Sequence, residues 1–166
     1  MITTNFSLRE FRCKDGRAVP AELRFALADL CDCVLEPTRS ICGGRAVTIV
    51  SGYRSPAYNR ELRQRAKARG RKGPSRTSIH MGREDHRRVV RVAADIRVAG
   101  LSPVAVHDRI LAAYRSATPL PAPHATDAAR WLARCLGGIG LYRGRGGFVH
   151  LDTWQRSDGR LRHWEG

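Results

Sequence analysis

Residues 137–151, GGIGLYRGRGGFVHL, read as two strands, Gly137 to Tyr142 and Gly147 to Leu151, joined by the basic turn Arg143–Gly146. That is an antiparallel hairpin. Before it, Asp127 to Leu136 reads as a short helix with Thr126 as N-cap, and SATPLPAPHAT (116–126) as a proline-rich surface connection. Ser102-Pro103 caps and starts another helix that runs to about Tyr114, with Val106, Ile110, Leu111 and Tyr114 facing inward. Val89 to Val98 is expected as one strand, and the β-branched run Ala46 to Ser51 as a buried one. Pro20 opens an amphipathic helix to about Leu35, preceded by the capping box Ser7/Glu10, and a further helix is expected from Ala57 to about Ala68. Strands and helices do not alternate regularly. The expected fold is therefore α+β, a small, mainly antiparallel sheet flanked by helices, formed by 1–166 as a single domain.

With 42% hydrophobic and 27% charged residues, the composition is that of an ordinary globular chain. No apolar run approaches the ~20 residues that span a bilayer. The N-terminal MITTNFSLREFRCKDG has no apolar segment followed by a small-residue cleavage site, so no secretory signal is read. The net charge of +15, almost all arginine, implies attraction to a polyanion such as nucleic acid, anionic lipid or an anionic wall polymer, or else a solvated basic surface. Residues 63–76, RQRAKARGRKGPSR, concentrate seven of these charges and are expected to be a loop. A solvated insertion is favoured there over a polyanion-binding flap, since no aromatic is interleaved for base stacking. A nucleic-acid partner is disfavoured for the whole chain, which has no zinc finger, RNP-type motif or basic helix with heptads. Five cysteines (Cys13, Cys31, Cys33, Cys42, Cys135) are too few for a disulfide scaffold at this length and read as buried or free thiols. A disulfide between the Cys31/Cys33 region and Cys13 or Cys42 is the alternative.

Three short stretches carry the chemistry: Ser78-Ile79-His80, Ala93-Ala94-Asp95-Ile96 and Phe148-Val149-His150-Leu151-Asp152. Two imidazoles and one carboxylate form the ligand set of a hydrolytic zinc centre with its fourth position open. A carboxylate after Val92-Ala93-Ala94 in an apolar strand must be paired, hydrogen-bonded or metal-bound if it is buried. Glu84, Asp85 and His86, in the charged stretch just before, compete with Asp95 for the ligand role; Asp95 is preferred because it is anchored on a strand. Period two puts Asp152 on the same strand face as His150. His107, in a surface helix, His124 and His163 are weaker candidates.

The chain resembles the D-Ala-D-Ala carboxypeptidase-like zinc peptidases, the class grouping lysostaphin-type, D-Ala-D-Ala-cleaving and hedgehog-like domains, and most closely a small bacterial and phage subgroup of the carboxypeptidase type. The resemblance runs in order through Asn5 to Phe11 with Cys13 to Gly16, Ser51 to Asn59, Ser78-x-His80, Ala93 to Ile96, Gly138-x-Gly140-x-Tyr142, Phe148 to Thr153 and Arg162-x-Trp164. It implies a hedgehog/D-Ala-D-Ala peptidase-like fold, zinc held by His80, Asp95 and His150, and substrate bound by Arg54 and Ser78. Two departures stand out. The group spaces its first two ligands as SxHxxGxAxD, whereas here Met81 to Ala94 supply fourteen intervening residues. Many members also carry an acidic base three residues before the last histidine, where this chain has Gly147. Asp152 is then the candidate base, or alternatively a group that orients a ligand.

The expected activity is zinc-dependent hydrolysis of peptidoglycan stem or cross-bridge peptides at or near D-amino acids. The alternative is a non-catalytic zinc-containing module that binds peptidoglycan or a protein partner.

Overall fold

The computed structural model describes residues 2–118 and 124–166. Near the N-terminus the Ser7 N–H donates to Glu10 Oε2 at 3.1 Å, and the turn this closes, Leu8–Phe11, is a 3-10 helix that buries Phe11. A second 3-10 turn, Ala21–Leu23, passes into α1 (Arg24–Leu30), a π-helical turn (Cys31–Leu35) and α2 (Glu36–Ile41). The helix expected to stop near Leu35 therefore continues through Pro37. Proline lacks an N–H and its ring crowds the carbonyl four residues back, here that of Cys33. The wider π turn falls where that crowding would occur, so the chain remains helical.

Strand β1 (Val47–Ser51) is an edge strand and half-exposed, not buried, because one side has no neighbour. Helix α3 (Pro56–Ala68) begins at Ser55, whose Oγ accepts the Tyr58 N–H at 3.0 Å, and it absorbs residues 63–68 of the expected loop. The single strand expected over 89–98 is split. Strands β2 (Arg83–Glu84) and β3 (Val90–Arg91) pair in a small hairpin of their own, and β4 (Ala93–Val98) starts after Val92. Val92 marks the hand-over, its carbonyl accepting the Thr153 N–H at 3.2 Å.

Helices α4 (Pro103–Ser116) and α5 (Asp127–Cys135) start where local capping chemistry says they should. The Ser102 hydroxyl accepts the Ala105 N–H at 3.1 Å, and the Thr126 hydroxyl accepts that of Ala129 at 3.2 Å. The proline-rich connection lies, over 119–123, outside the described residues. Strands β5 (Gly138–Tyr142) and β6 (Phe148–Asp152) form the expected hairpin, and β7 (Arg162–Glu165) is an unexpected last strand.

The large strands lie in the order β1-β4-β6-β5-β7, antiparallel except for the parallel pair β5/β7. The α+β class holds, with a mixed sheet. Ala94, Ile96, Val98, Ile139, Val149 and Leu151 join Leu27, Leu30, Val34, Ile110 and Leu132 of the helices in one buried core. Removing each large side chain from water stabilises the fold by ~1.5–3 kcal/mol. By the period of two, the opposite sheet face carries Asp95, His150 and Asp152, all buried.

All five cysteines are free thiols, so the alternative disulfide does not form. The Cys33 thiol instead meets Cys135 at the end of α5, and burial pushes both thiols up, Cys135 to about 12. His107, expected on a surface helix, is buried, and its Nε2 lies 2.9 Å from His163 Nε2 on β7. Among the described residues no helix is long and apolar enough to cross a membrane.

Candidate metal centre

Strand register sets the site. Asp95 on β4 stands opposite His150 on β6, so their side chains leave the sheet on one face. His80 arrives from outside the sheet, in the 3-10 turn Ile79–Met81, and is tied to the β1–α3 loop by the Arg54 N–H donating to the His80 carbonyl at 2.9 Å. Asp95 Oδ1 lies 2.8 Å from His150 Nδ1 and 3.2 Å from His80 Nε2, and the two ring nitrogens are 3.3 Å apart. Among the described residues this is the group whose nitrogen and oxygen donors could share one metal ion.

Both rings are held from behind. His80 Nδ1 is 2.7 Å from the Gly52 carbonyl, which can only accept, so that nitrogen carries the hydrogen and Nε2 presents its lone pair. His150 Nε2 is 3.1 Å from Asp152 Oδ2, so Nε2 donates and Nδ1 presents its lone pair. With both rings neutral, three electron-pair donors then converge with no hydrogen between them. A cation stabilises that geometry, and two imidazoles oriented by hydrogen bonds on their far nitrogens are what a metal ion uses. The donor set and its opening into a cleft of about 690 Å³ fit a divalent ion with a free coordination position.

The ionisation of the three groups follows from the same contacts. Burial opposes a charged His150, but hydrogen bonds to Asp152 and Asp95 and their charges outweigh it and carry the ring up to about 9. Burial pushes His80 down, and Asp95 offsets only part of that. Burial would raise Asp95, yet the neighbouring rings hold it well below the usual carboxylate range. The carboxylates around His150 thus favour a proton on its Nδ1, and a cation held by the three donors would take that proton's place and leave the neutral ring described above.

Arg54 and Ser78 both border the cleft. Arg54 is also committed to the site itself: Nη2 donates to Asp95 Oδ2 at 2.7 Å and Nε to Ser51 Oγ at 3.1 Å. It therefore fixes the second oxygen of Asp95 while presenting a guanidinium edge to the cleft. The inserted hairpin supplies no ligand. Asp85 is buried inside its turn, accepting from the backbone N–H groups of Arg87 and Val89 and from Arg91 Nε at 2.7 Å, while Glu84 and His86 are exposed. The long run between His80 and Asp95 loops out, and its two ends meet.

Asp152 does not reach the open side of the site, as a base for an attacking water would. It sits behind His150, on the far nitrogen of the ring, fully buried, with its other oxygen accepting the Trp154 N–H at 2.8 Å and a hydrogen bond from Arg162. It is the orienting group. In the sequence Arg162 stands out only as part of a motif. It reaches Asp152 across β5 because the residue between them is Gly138, where a Cβ would lie 2.4 Å from Asp152 Oδ2. One row further on, Gly140 lets Trp164 lie across β5 and approach His150, ring centroids 5.2 Å apart; a Cβ there would sit 2.5 Å from the indole. Two glycines at alternate positions inside a strand are the available signal, since glycine in a strand marks close approach. No protein-family model, no curated protein and no solved structure matches this chain.

Proposed function

We propose that the chain is a zinc-dependent peptidase that hydrolyses cell-wall stem or cross-bridge peptides at or near D-amino acids, with the hedgehog/D-Ala-D-Ala peptidase-like fold its motifs resemble. One observation carries this reading: His80 Nε2, Asp95 Oδ1 and His150 Nδ1 converge within 4.8 Å, with both imidazoles oriented from behind, where the site opens into a cleft. Zinc held there supplies Lewis-acid polarisation of the scissile carbonyl and lowers the pKa of a water.

The chain's own residues do the rest. Asp152 keeps His150 in the tautomer that presents Nδ1, and Arg54 keeps Asp95 Oδ1 turned toward the rings. Arg54 and Ser78, at the cleft wall, orient the substrate's carboxylate or carbonyl. Two acids border the cleft, and Asp95 is already engaged. Glu165 pairs with Arg143 at 2.9 Å with both side chains about half exposed, an arrangement worth no more than about 1 kcal/mol. Its side chain leaves β7 on the face opposite to that of Trp164, away from His150, so among the described residues no acid besides Asp95 points from the cleft wall at the metal position.

The test combines metal content and turnover. Wild type is expected to hold one zinc per chain and to cleave stem peptides as read by mass spectrometry, with a chelator stopping the reaction. His80→Ala and His150→Ala should lose the metal. Full zinc in His150→Ala would remove that residue from the site.

A second reading is favoured by Gly147. A Cβ there would lie 2.5 Å from the Tyr142 carbonyl oxygen, so no acidic side chain fits where the resembled group carries its base. On this reading the chain is a non-catalytic zinc module that binds wall peptide or a protein partner. Zinc-replete protein that binds stem peptides without cutting any of them would select it.

A further inference from the structure

Arg60, Arg63 and Lys67 recur at spacings of three and four along α3 and so share one helix face. After Gly70, whose φ of +63° turns the chain back, residues 71–76 fold against that helix. Asn59 Nδ2 donates to the Ser75 carbonyl at 2.8 Å, and Gly73 lies so close that a Cβ would be 3.0 Å from Arg63 Cα. The segment is a strap pinned to α3, and its Arg71, Lys72 and Arg76 are solvent-exposed as its composition suggests.

Strap and helix border an open groove of about 670 Å³ walled by Arg60, Arg63, Lys67, Arg71 and Arg76, with no acid in the wall. Among the described residues none of these five side chains has an ion pair or a hydrogen bond to the protein. The acid of α3, Glu61, is taken by Arg65. Elsewhere Arg54, Arg91 and Arg162 are each paired with a buried aspartate. Five unpaired cations around one groove repel one another, and an anionic occupant relieves that repulsion.

We propose that this groove binds an extended phosphate-bearing polyanion, read through its charges alone. Guanidinium forks match phosphate oxygens in pairs, and the number of cations exceeds what a single carboxylate needs. The wall holds no aromatic on which a base could stack, which separates this ligand from a nucleic acid. Gly73, Pro74 and Ser75 line both this groove and the cleft of the metal centre, so a bound chain runs toward that cleft. The inference stands whether or not the centre hydrolyses peptides.

Calorimetric titration of the full chain with a short inorganic polyphosphate at several sodium chloride concentrations tests it. Wild type should bind with an affinity that falls steeply with salt. In R63Q/K67Q/R71Q the affinity at low salt should drop at least tenfold, and the log–log salt slope should shrink by about 2, at ~0.7 per phosphate contact on the single-strand scale. R9Q/R24Q/R160Q removes the same charge from exposed side chains outside the groove and should behave as wild type. Equal losses in the two variants would assign binding to bulk charge and overturn the proposal, as would no binding by wild type. Tighter binding of a charge-matched single-stranded oligodeoxynucleotide than of polyphosphate would also overturn it, since it would mean that bases are recognised.

Discussion

The two oxygens of Asp152 act separately, Oδ2 fixing His150 while Oδ1 is held by the Trp154 N–H and by Arg162. An asparagine here can offer its amide NH₂ to His150 Nε2, which would then carry the lone pair and leave the hydrogen on Nδ1, where the ligand atom should be. Asp152→Asn is therefore expected to weaken zinc affinity by roughly 10–100-fold while turnover per bound zinc survives. Competition with a chromophoric chelator, run beside a turnover assay, reads both. Unaltered affinity with collapsed turnover would return Asp152 to the role of base. Asp15 is the second residue whose state can be read directly. Hydrogen bonds from the Cys13 thiol and the Ser55 hydroxyl bring its pKa down to about 2. A carboxyl whose folded pKa lies below its ordinary value of about 4 adds stability above pH 4 and loses it as pH falls toward 2. Acid denaturation followed between pH 5 and pH 2 should thus lose part of its steepness in Asp15→Asn, and identical curves would show that Asp15 contributes nothing there.

Strand β5 separates β6 from β7, yet the site depends on contacts made over it. Gly140→Ala puts a methyl group 2.5 Å from the Trp164 indole, too close for the sheet to accept unchanged. Overpacking of this kind costs about 1–3 kcal/mol, so the urea midpoint should fall and zinc affinity with it, because Trp164 backs His150. A variant with a wild-type midpoint would mean that the indole has room to shift. The Gly-x-Gly spacing is visible in the sequence, but its meaning is not, since β7 pairs parallel to β5 and only that pairing brings Arg162 and Trp164 over the glycines. The short charged run Arg162–Glu165 has no pattern of its own that marks a strand. By contrast, the starts of α4 and α5 and the β5/β6 hairpin are legible, because a cap hydroxyl or a turn acts within a few residues. The three metal-ligand candidates are legible for a related reason: each sits in or beside an apolar run, where a histidine or aspartate is out of place. What the period of two cannot say about Asp152 is that a whole imidazole ring stands between it and the focus of the site. The strap after α3 is hidden from a sequence reading because it depends on a distant contact, the Asn59–Ser75 hydrogen bond.

Thirty lysines and arginines against fifteen aspartates and glutamates leave the molecule at +15, and its acids are spent unevenly. Asp85, Asp95 and Asp152 are buried and already paired with arginine, so salt screens those contacts little. The exposed pairs Arg65–Glu61, Arg143–Glu165 and Arg156–Asp158 contribute little and weaken as salt rises. Against them stands the repulsion among the remaining cations, which acts over the whole surface. At 0.01 M ionic strength the screening length is about 30 Å, enough for charges across a domain of this size to sense one another, and at 0.15 M it is about 8 Å. The long-range repulsion is therefore lost over that range faster than the short-range pairs. The melting temperature of metal-loaded protein should rise when sodium chloride is raised from 0.01 to 0.15 M, the reverse of a fold held by surface ion pairs. Chloride is the anion to use, since phosphate or sulfate would add specific binding to screening. R63Q/K67Q/R71Q, with three of the mutually repelling charges gone, should melt higher than wild type at the low salt and show a smaller rise. A melting temperature that falls with sodium chloride would mean that ion pairs, not net repulsion, dominate the electrostatics of this fold.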